Sequence, residues 1–212
     1  MKSICIIGYG SLGNQVEKML LNYKCKKIRF KYFDDFAVSS GKPNSFNFRD
    51  YVNYEFKDCL FVIALGYKHL RIKCDITNWM ISNNRQLLSF IHPTSFINSS
   101  ANIEQGVIIY PMCNLDTDVL LKSGVLLNNS VIVSHGTTIG AATYISPGVI
   151  ISGNVTIGEK CFIGSGTLIT NNIRIGNNVV IGIGSCITKD IPDNSIGIGN
   201  PFRITDRPLN IT

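Results

Sequence analysis

Residues 127–156 read LNNSVI VSHGTT IGAATY ISPGVI ISGNVT, five sixes that each open on an aliphatic residue and carry a small or β-branched residue in fifth place. The same frame runs outward from Ile97 to Pro192. Its first place is aliphatic in all sixteen sixes, from Ile97 to Ile187, and its fifth runs from Ala101 through Cys113, Thr137 and Cys161 to Ile191. A period of six suits neither an amphipathic helix nor a simply alternating strand. Strict self-similarity at a short period marks a solenoid. The frame therefore predicts a parallel β-helix with a short strand and a turn per repeat. Its first and fifth places face inward, its third outward, and its register is unbroken as far as Pro192.

The residues before the repeat follow another logic. Ser3 to Ile7 reads as a buried strand that enters Gly8-Tyr9-Gly10-Ser11-Leu12-Gly13, followed by a helical pattern from Asn14 to about Asn22. Strand, glycine turn and helix form the setting in which such a turn has physical meaning. Glycine lets the backbone approach a phosphate, and a helix N-terminus offers free N–H groups. A second strand, Ile28 to Phe33, ends at Asp34-Asp35, carboxylates placed to accept hydrogen bonds from a ribose or base. Ala37 to Phe56 reads as loop and edge. A strand over Leu60 to Leu65 stops at Gly66, a helix follows from His69 to about Ser82, and a strand over Gln86 to Phe90 leads to His92-Pro93. This unit has room for one mononucleotide-binding half and not for two. The expected domains are 1–92, a small half-Rossmann-like α/β unit, and 93–212, the β-helix with a tail from Asp193.

Composition narrows the classes. The 212 residues are 45% hydrophobic, enough for a real core, and only 16% charged, as expected where Asn, Ser, Thr and Gly fill solenoid turns. The net charge is +6, with Lys24, Lys26, Lys27, Arg29 and Lys31 in the first third. These residues suit a solvated surface or attraction to an anionic small molecule such as a nucleotide. No aromatic residues interleave with a basic stripe, which argues against nucleic acid. Seven cysteines without a CxxC pair or a metal spacing argue for a reducing, cytoplasmic setting and no metal. The apolar start is too short for a signal peptide, and no stretch approaches the ~20 apolar residues of a membrane helix.

Three histidines are candidates for chemistry. His69 reads as a surface residue at a helix start and His92 as a turn residue before Pro93. His135 differs, because it holds an outward third place and is the only ionisable Asp, Glu, His, Lys or Arg between Gly124 and Gly158. An isolated imidazole on a bland β wall suits a general base. No serine or cysteine sits in register as a nucleophile, which favours direct transfer over a covalent enzyme.

The sixes resemble the left-handed β-helix of hexapeptide-repeat acyltransferases, in which eighteen residues make one triangular coil. The whole chain resembles the bacterial sugar O-/N-acetyltransferases of the NeuD-like and PglD-like family. The matching stretches are Gly8–Gly13, Phe33-Asp34-Asp35, Ala64-Leu65-Gly66 with Arg71, Ile91-His92-Pro93, the His135 six, Ser152-Gly153-Asn154 and Gly199-Asn200-Pro201. The resemblance implies acetyl-CoA as donor, a nucleotide-linked sugar as acceptor, and a homotrimer with sites between neighbouring β-helices. It implies His135 as catalytic base and Gly153, one coil on, as the N–H donor facing the thioester oxygen. Asn128 matches a residue near the acceptor sugar. Gly164, Ser165, Gly182, Ile183 and Gly184 match the path of CoA. Gly8, Gly10, Ser11, Leu12, Gly13, Asp34, Asp35 and Gly66 fall at or beside nucleotide-binding positions.

Three positions depart from the family pattern. The acid that usually follows the catalytic histidine is Gly136, the histidine nine residues further on that touches the acetyl donor is Tyr144, and Leu12 replaces a histidine of the glycine turn. A neutral 4-amino group is a better nucleophile than a hydroxyl, so N-acetylation of a 4-amino sugar is the expected reaction. O-acetylation of sialic acid or another sugar is the alternative. A β-helix trimer that binds nucleotide-sugar without chemistry is a second, and an NAD-dependent reductase built on Gly8–Gly13 and Asp34 is a third.

Overall fold

The computed structural model describes residues 3–23 and 28–205, so Lys24, Lys26, Lys27 and the chain beyond Thr205 lie outside the described residues. Packing divides the chain into two compact units, 1–90 and 91–212.

The first unit contains β1 (Ser3–Ile7), α1 (Ser11–Tyr23), β2 (Arg29–Phe33), α2 (Asp35–Ser39), β3 (Ser45–Phe46), β4 (Leu60–Ile63), α3 (Leu70–Ser82) and β5 (Gln86–Leu87). The strands form one parallel sheet in the order β3-β2-β1-β4-β5. Such a sheet is covered on both faces, so β1 reads as a continuous apolar run. Cys5, Ile7, Phe33, Phe61 and Ile63 pack with Phe56, Ile76 and Met80. Helix α1 buries Gly13, Val16 and Leu20, a three-to-four spacing along one face.

Four sequence expectations are corrected here. The first helix starts at Ser11 and not Asn14, because the Gly10 carbonyl already accepts from Asn14 N at 3.1 Å. The stretch 37–56 is not plain loop and edge. It holds most of α2, the edge strand β3 and two 3₁₀ turns, Phe48–Val52 and Tyr54–Phe56. Asp34 was the overlooked start signal, since its side chain caps α2 by accepting from Ala37 N. Strand β4 stops at Ile63, two residues early. The expected strand over Gln86 to Phe90 divides, with Gln86–Leu87 in this sheet and Phe90–Ile91 in a sheet of the repeat region.

The second unit is a left-handed parallel β-helix with three sheet faces. Face 1 carries Phe96–Ile97, Asn114–Leu115, Ile132–Val133, Ile150–Ile151, Leu168–Ile169 and Cys186–Ile187. Face 2 runs from Asn102–Ile103 to Arg174–Ile175, and face 3 from Phe90–Ile91 to Val180–Ile181 and beyond. Strand partners lie one coil apart, as in Asn114↔Ile132 and Leu115↔Val133. The first- and fifth-place aliphatics form one continuous core. Polar residues in fifth place are answered along the coil axis. Thr143 Oγ1 donates to Gly158 O at 2.8 Å and accepts from Cys161 N at 3.1 Å, and Thr137 repeats the pattern with Ser152 O and Val155 N.

Every fourth-place residue from Gly106 to Gly184 has positive φ. Each corner therefore needs one left-handed residue, which Gly, Asn and Asp adopt most readily. Gly136 is one of these corner residues, at φ 65°.

The register ends earlier than the sequence implies. Ile191 bridges Ile175, and Ile196 pairs with Val180, so two residues drop out after Ile187. Ile191 thus takes the inward place of a first-position residue. The coil continues past Pro192 to Ile196–Ile198, and the antiparallel strand Arg203–Ile204 covers its edge. At the other end, Phe90–Ile91 adds a strand six residues before Ile97.

Candidate functional site

The corner between faces 1 and 2 stacks the third-place residues His135, Gly153 and Asn171, each following a face 1 strand. His135 is outward and its side chain is 58% exposed. Its ring lies over Gly153. A Cβ built on Gly153 would stand 2.5 Å from both Cε1 and Nε2 of the imidazole. Glycine is therefore required here to make room for the ring. Asp116, on the preceding coil, places Oδ2 4.0 Å from His135 Nδ1. Sequence reasoning missed Asp116. It looked eighteen residues forward from His135 and not one coil back, where position 117 and its neighbours would have shown it.

The Gly153 N–H donates to Asn171 Oδ1 at 2.8 Å. A thioester oxygen can use this donor only by displacing Asn171. The bond has a counterpart on the next corner, where Glu159 N donates to Asn177 Oδ1 at 2.9 Å. A Cβ on Gly136 would stand 2.4 Å from Asn154 Oδ1, the tip of a movable side chain, and Asp118 holds the same left-handed corner one coil back.

The remaining repeat candidates lie elsewhere on the coil. Asn128, Gly164-Ser165 and Gly182-Ile183-Gly184 follow face 3 strands, at the corner between faces 3 and 1. Tyr144 stands on face 3 itself, and its hydroxyl accepts from Asn128 Nδ2 at 3.0 Å. Its ring packs against Phe162 with centroids 5.9 Å apart. Burial, with Tyr144 adding, pushes the Tyr110 phenol above its ordinary value. Stacking accounts for two of these glycines without a ligand. A Cβ on Gly164 would stand 2.7 Å from the Gly182 carbonyl carbon, and one on Gly182 2.5 Å from Ile198. Gly184 holds a left-handed corner. Ser165 and the exposed Ile183 remain as side chains that coil geometry does not demand. One chain thus places His135 and the candidate CoA stretches on different corners.

In the first unit the glycine turn divides by role. Gly8, at φ 84°, lets Leu65 and Ala64 pack close, and a Cβ on Gly13 would stand 2.4 Å from Gly8 O. Gly10 and Gly66 face open space. Ser11, Leu12 and Gly13 form the first turn of α1, whose N–H groups have no intrahelical acceptor. Both expected carboxylates are already engaged. Asp34 accepts from Tyr9 N at 2.8 Å and Ala37 N at 2.9 Å, and Asp35 accepts from Phe48 N at 2.8 Å. Asp35 also lines a cleft with Phe48, Tyr51 and Trp79. Tyr9 and Tyr32 hydroxyls converge on Glu17, and Lys42 Nζ sits 4.2 and 4.1 Å from their ring centroids.

Among the other histidines, His69 is exposed, and His92 is buried with Nδ1 2.8 Å from Thr94 Oγ1. Among the described residues no group of three His, Cys, Asp or Glu is arranged to hold a metal ion, and no helix is long and apolar enough to cross a membrane.

Comparison with known proteins matches residues 136–171 to the bacterial transferase hexapeptide family of six repeats. A curated relative, the acyl-[acyl-carrier-protein]–UDP-N-acetylglucosamine O-acyltransferase of Mesorhizobium japonicum, is 42% identical over 53 residues, 25% of this chain. The match spans only 19% of that relative's length. The acetyltransferase domain of PglB from Neisseria gonorrhoeae superposes with a TM-score of 0.80 at 27% identity, over 97% of this chain and 100% of that one. The perosamine N-acetyltransferase of Caulobacter crescentus, solved as a histidine variant with CoA and GDP-perosamine, gives a TM-score of 0.87 at 21% identity, over 98% of each chain. The repeat match over residues 136–171, the three-faced coil and the full-length likeness to the PglB domain show a chain that carries the bacterial transferase hexapeptide repeat in a left-handed β-helix.

Proposed function

We propose that the chain is an acyltransferase that moves an acetyl group from acetyl-CoA to a nucleotide-linked sugar in the cytoplasm, with the 4-amino group of an amino sugar as preferred acceptor. The observation that carries this reading is the exposed His135 ring, seated on Gly153 with the Asp116 carboxylate 4.0 Å from its Nδ1. The full-length likeness to the PglB acetyltransferase domain supports the reaction class. The Caulobacter enzyme's CoA and GDP-perosamine suggest the kinds of ligand.

In this mechanism the acceptor amine attacks the thioester carbonyl carbon. Nε2 of His135 takes the amine proton, the C–S bond breaks, and the CoA thiolate leaves with the proton from the imidazolium. The Gly153 N–H stabilises the oxyanion once the substrate oxygen has replaced Asn171 Oδ1. Ser165 and Ile183 line the CoA path on another corner, so a complete groove takes His135 from one chain and the CoA corner from the next, as a homotrimer provides. The groove holds both substrates together and supplies the proximity term. In the first unit the α1 N-terminus with Gly10 receives the nucleotide's phosphates, and the cleft at Asp35 its base or ribose. Asn128 and Tyr144 sit beside the acceptor and the acetyl donor. His135→Ala should lower kcat by at least ~10²-fold; turnover near wild type removes His135 from the role.

The capped Gly153 N–H favours a second reading, a trimer that binds nucleotide-sugar without chemistry. A ligand that binds the native state raises its melting temperature. Stabilisation by nucleotide-sugars but never by acetyl-CoA would select the binder.

A further inference from the structure

We infer that Asp116 is the positioning residue of His135, supplying from the preceding coil the carboxylate that Gly136 does not. This inference rests on His135 acting as the general base. Asp116 holds the second place of its six and follows the face 1 strand Asn114–Leu115, one coil before Ile132–Val133. Its backbone is fixed to the coil that carries His135, through Asp116 N donating to Val133 O at 3.0 Å. Its carboxylate is divided between two tasks. Oδ1 accepts from Thr117 N at 2.7 Å, which fixes the plane of the group and leaves Oδ2 facing His135 Nδ1 at 4.0 Å. The opposite edge of the ring, Cε1 and Nε2, lies on Gly153. The two ring nitrogens therefore meet opposite surroundings, a carboxylate on one coil and a bare backbone on the other.

A neutral imidazole carries one proton, and its location decides which nitrogen can act as a base. A carboxylate beside Nδ1 favours the Nδ1–H tautomer, so the lone pair sits on Nε2, the edge over Gly153. When Nε2 takes the acceptor's proton, Nδ1–H stays in place and the imidazolium faces the carboxylate's negative charge. No proton passes to Asp116. Both side chains are half exposed, so solvent screens the interaction and its effect is modest. Among the described residues Asp116 is the one carboxylate within ion-pair reach of His135.

The substitutions separate positioning from simple structure. Asp116→Asn keeps the acceptor for Thr117 N but turns an amide donor toward Nδ1. That donor favours the Nε2–H tautomer and removes the reactive lone pair. Asp116→Asn should therefore be slower than Asp116→Ala, the order expected when the wrong tautomer is enforced. Asp116→Ala should lower kcat on the order of tenfold, with KM for acetyl-CoA and the acceptor unchanged, and Asp116→Glu should recover part of the loss. Imidazole ¹⁵N shifts of His135, read on the intact protein without substrate, should report Nδ1–H in the wild type and a shift to Nε2–H in Asp116→Asn. Wild-type kcat in Asp116→Ala and Asp116→Asn, or a fall in kcat with the tautomer unchanged, overturns the inference. His135→Ala distinguishes the two levels. If it turns over like wild type, the functional reading fails; if it is inactive while both Asp116 variants keep full activity, only the positioning role fails.

Discussion

The two units bury polar groups in different ways. In the solenoid, register supplies the partner: the fifth-place Thr137 and Thr143 each bond backbone on the neighbouring coil. The α/β unit has no such repeat. There Lys73 is fully buried on α3 with no partner for Nζ, and Arg85 leaves Nη1 unpaired. A repeat thus makes satisfaction routine, and a departure from it becomes informative. The clearest departure is at third place. Asn171 and Asn177 send side chains back to the coil before, to Gly153 N and Glu159 N. Gly153 has no side chain to send, and the His135 imidazole occupies the vacated space.

The largest expected effect tests that departure against an ordinary corner. Gly153→Ala puts a Cβ 2.5 Å from two atoms of a movable, exposed ring. The ring should swing away, with kcat falling by roughly 10²-fold and the melting curve nearly unchanged. Gly140→Ala puts its Cβ 2.4 Å from the Gly158 carbonyl carbon, which is backbone and cannot yield. That variant should lose stability by about 1–3 kcal/mol, read by chemical denaturation. If Gly153→Ala unfolds the protein as readily, the space at 153 serves the coil and not the ring.

A second expectation concerns the α/β unit. Burial lowers the Lys73 amine from its ordinary 10.5 to about 7. Between these values the unfolded chain binds the proton and the folded chain does not, so stability should rise with pH from about 7 to about 10.5. Below about 7 both forms are protonated and the full desolvation penalty is present. Lys73→Met should remove this pH dependence and stabilise the unit at neutral pH by at least ~1 kcal/mol. Unfolding curves of wild type and variant that run parallel across this window would show that Lys73 is not sealed from water.

The smallest effect is at Asn171. Asn171→Ala frees the Gly153 N–H, so KM for acetyl-CoA should fall a few-fold, in line with the ~1 kcal/mol of one hydrogen bond. A rise in KM would mean that Asn171 itself holds the donor.

The sequence made the repeat legible because its core is periodic, and a period survives any choice of side chain that keeps the pattern. The place of His135 beside Gly153 was readable for the same reason, but its isolation was not borne out, because Asp116 from the preceding coil stands 4.0 Å from its ring. The slip after Ile187 was not, because Ile191 fits the fifth place of the frame as well as the inward site it occupies. Helix α2 was missed because its start depends on one capping carboxylate, Asp34, which sequence pattern assigned to a ligand. The glycines at 164 and 182 read as a ligand path, and coil stacking is a second demand on them that sequence pattern does not separate from the first. Asn171 was overlooked because an Asn in a turn is ordinary, and only coordinates show where its amide points.

The measurement closest to the central claim is mass-spectrometric turnover with acetyl-CoA and a panel of nucleotide-linked amino sugars and sialic acid, run on wild type and His135→Ala. One added acetyl group on one acceptor, lost by at least ~10²-fold in the variant, is the expected result. No acetyl gain on any acceptor, or equal gain with and without His135, would contradict the account.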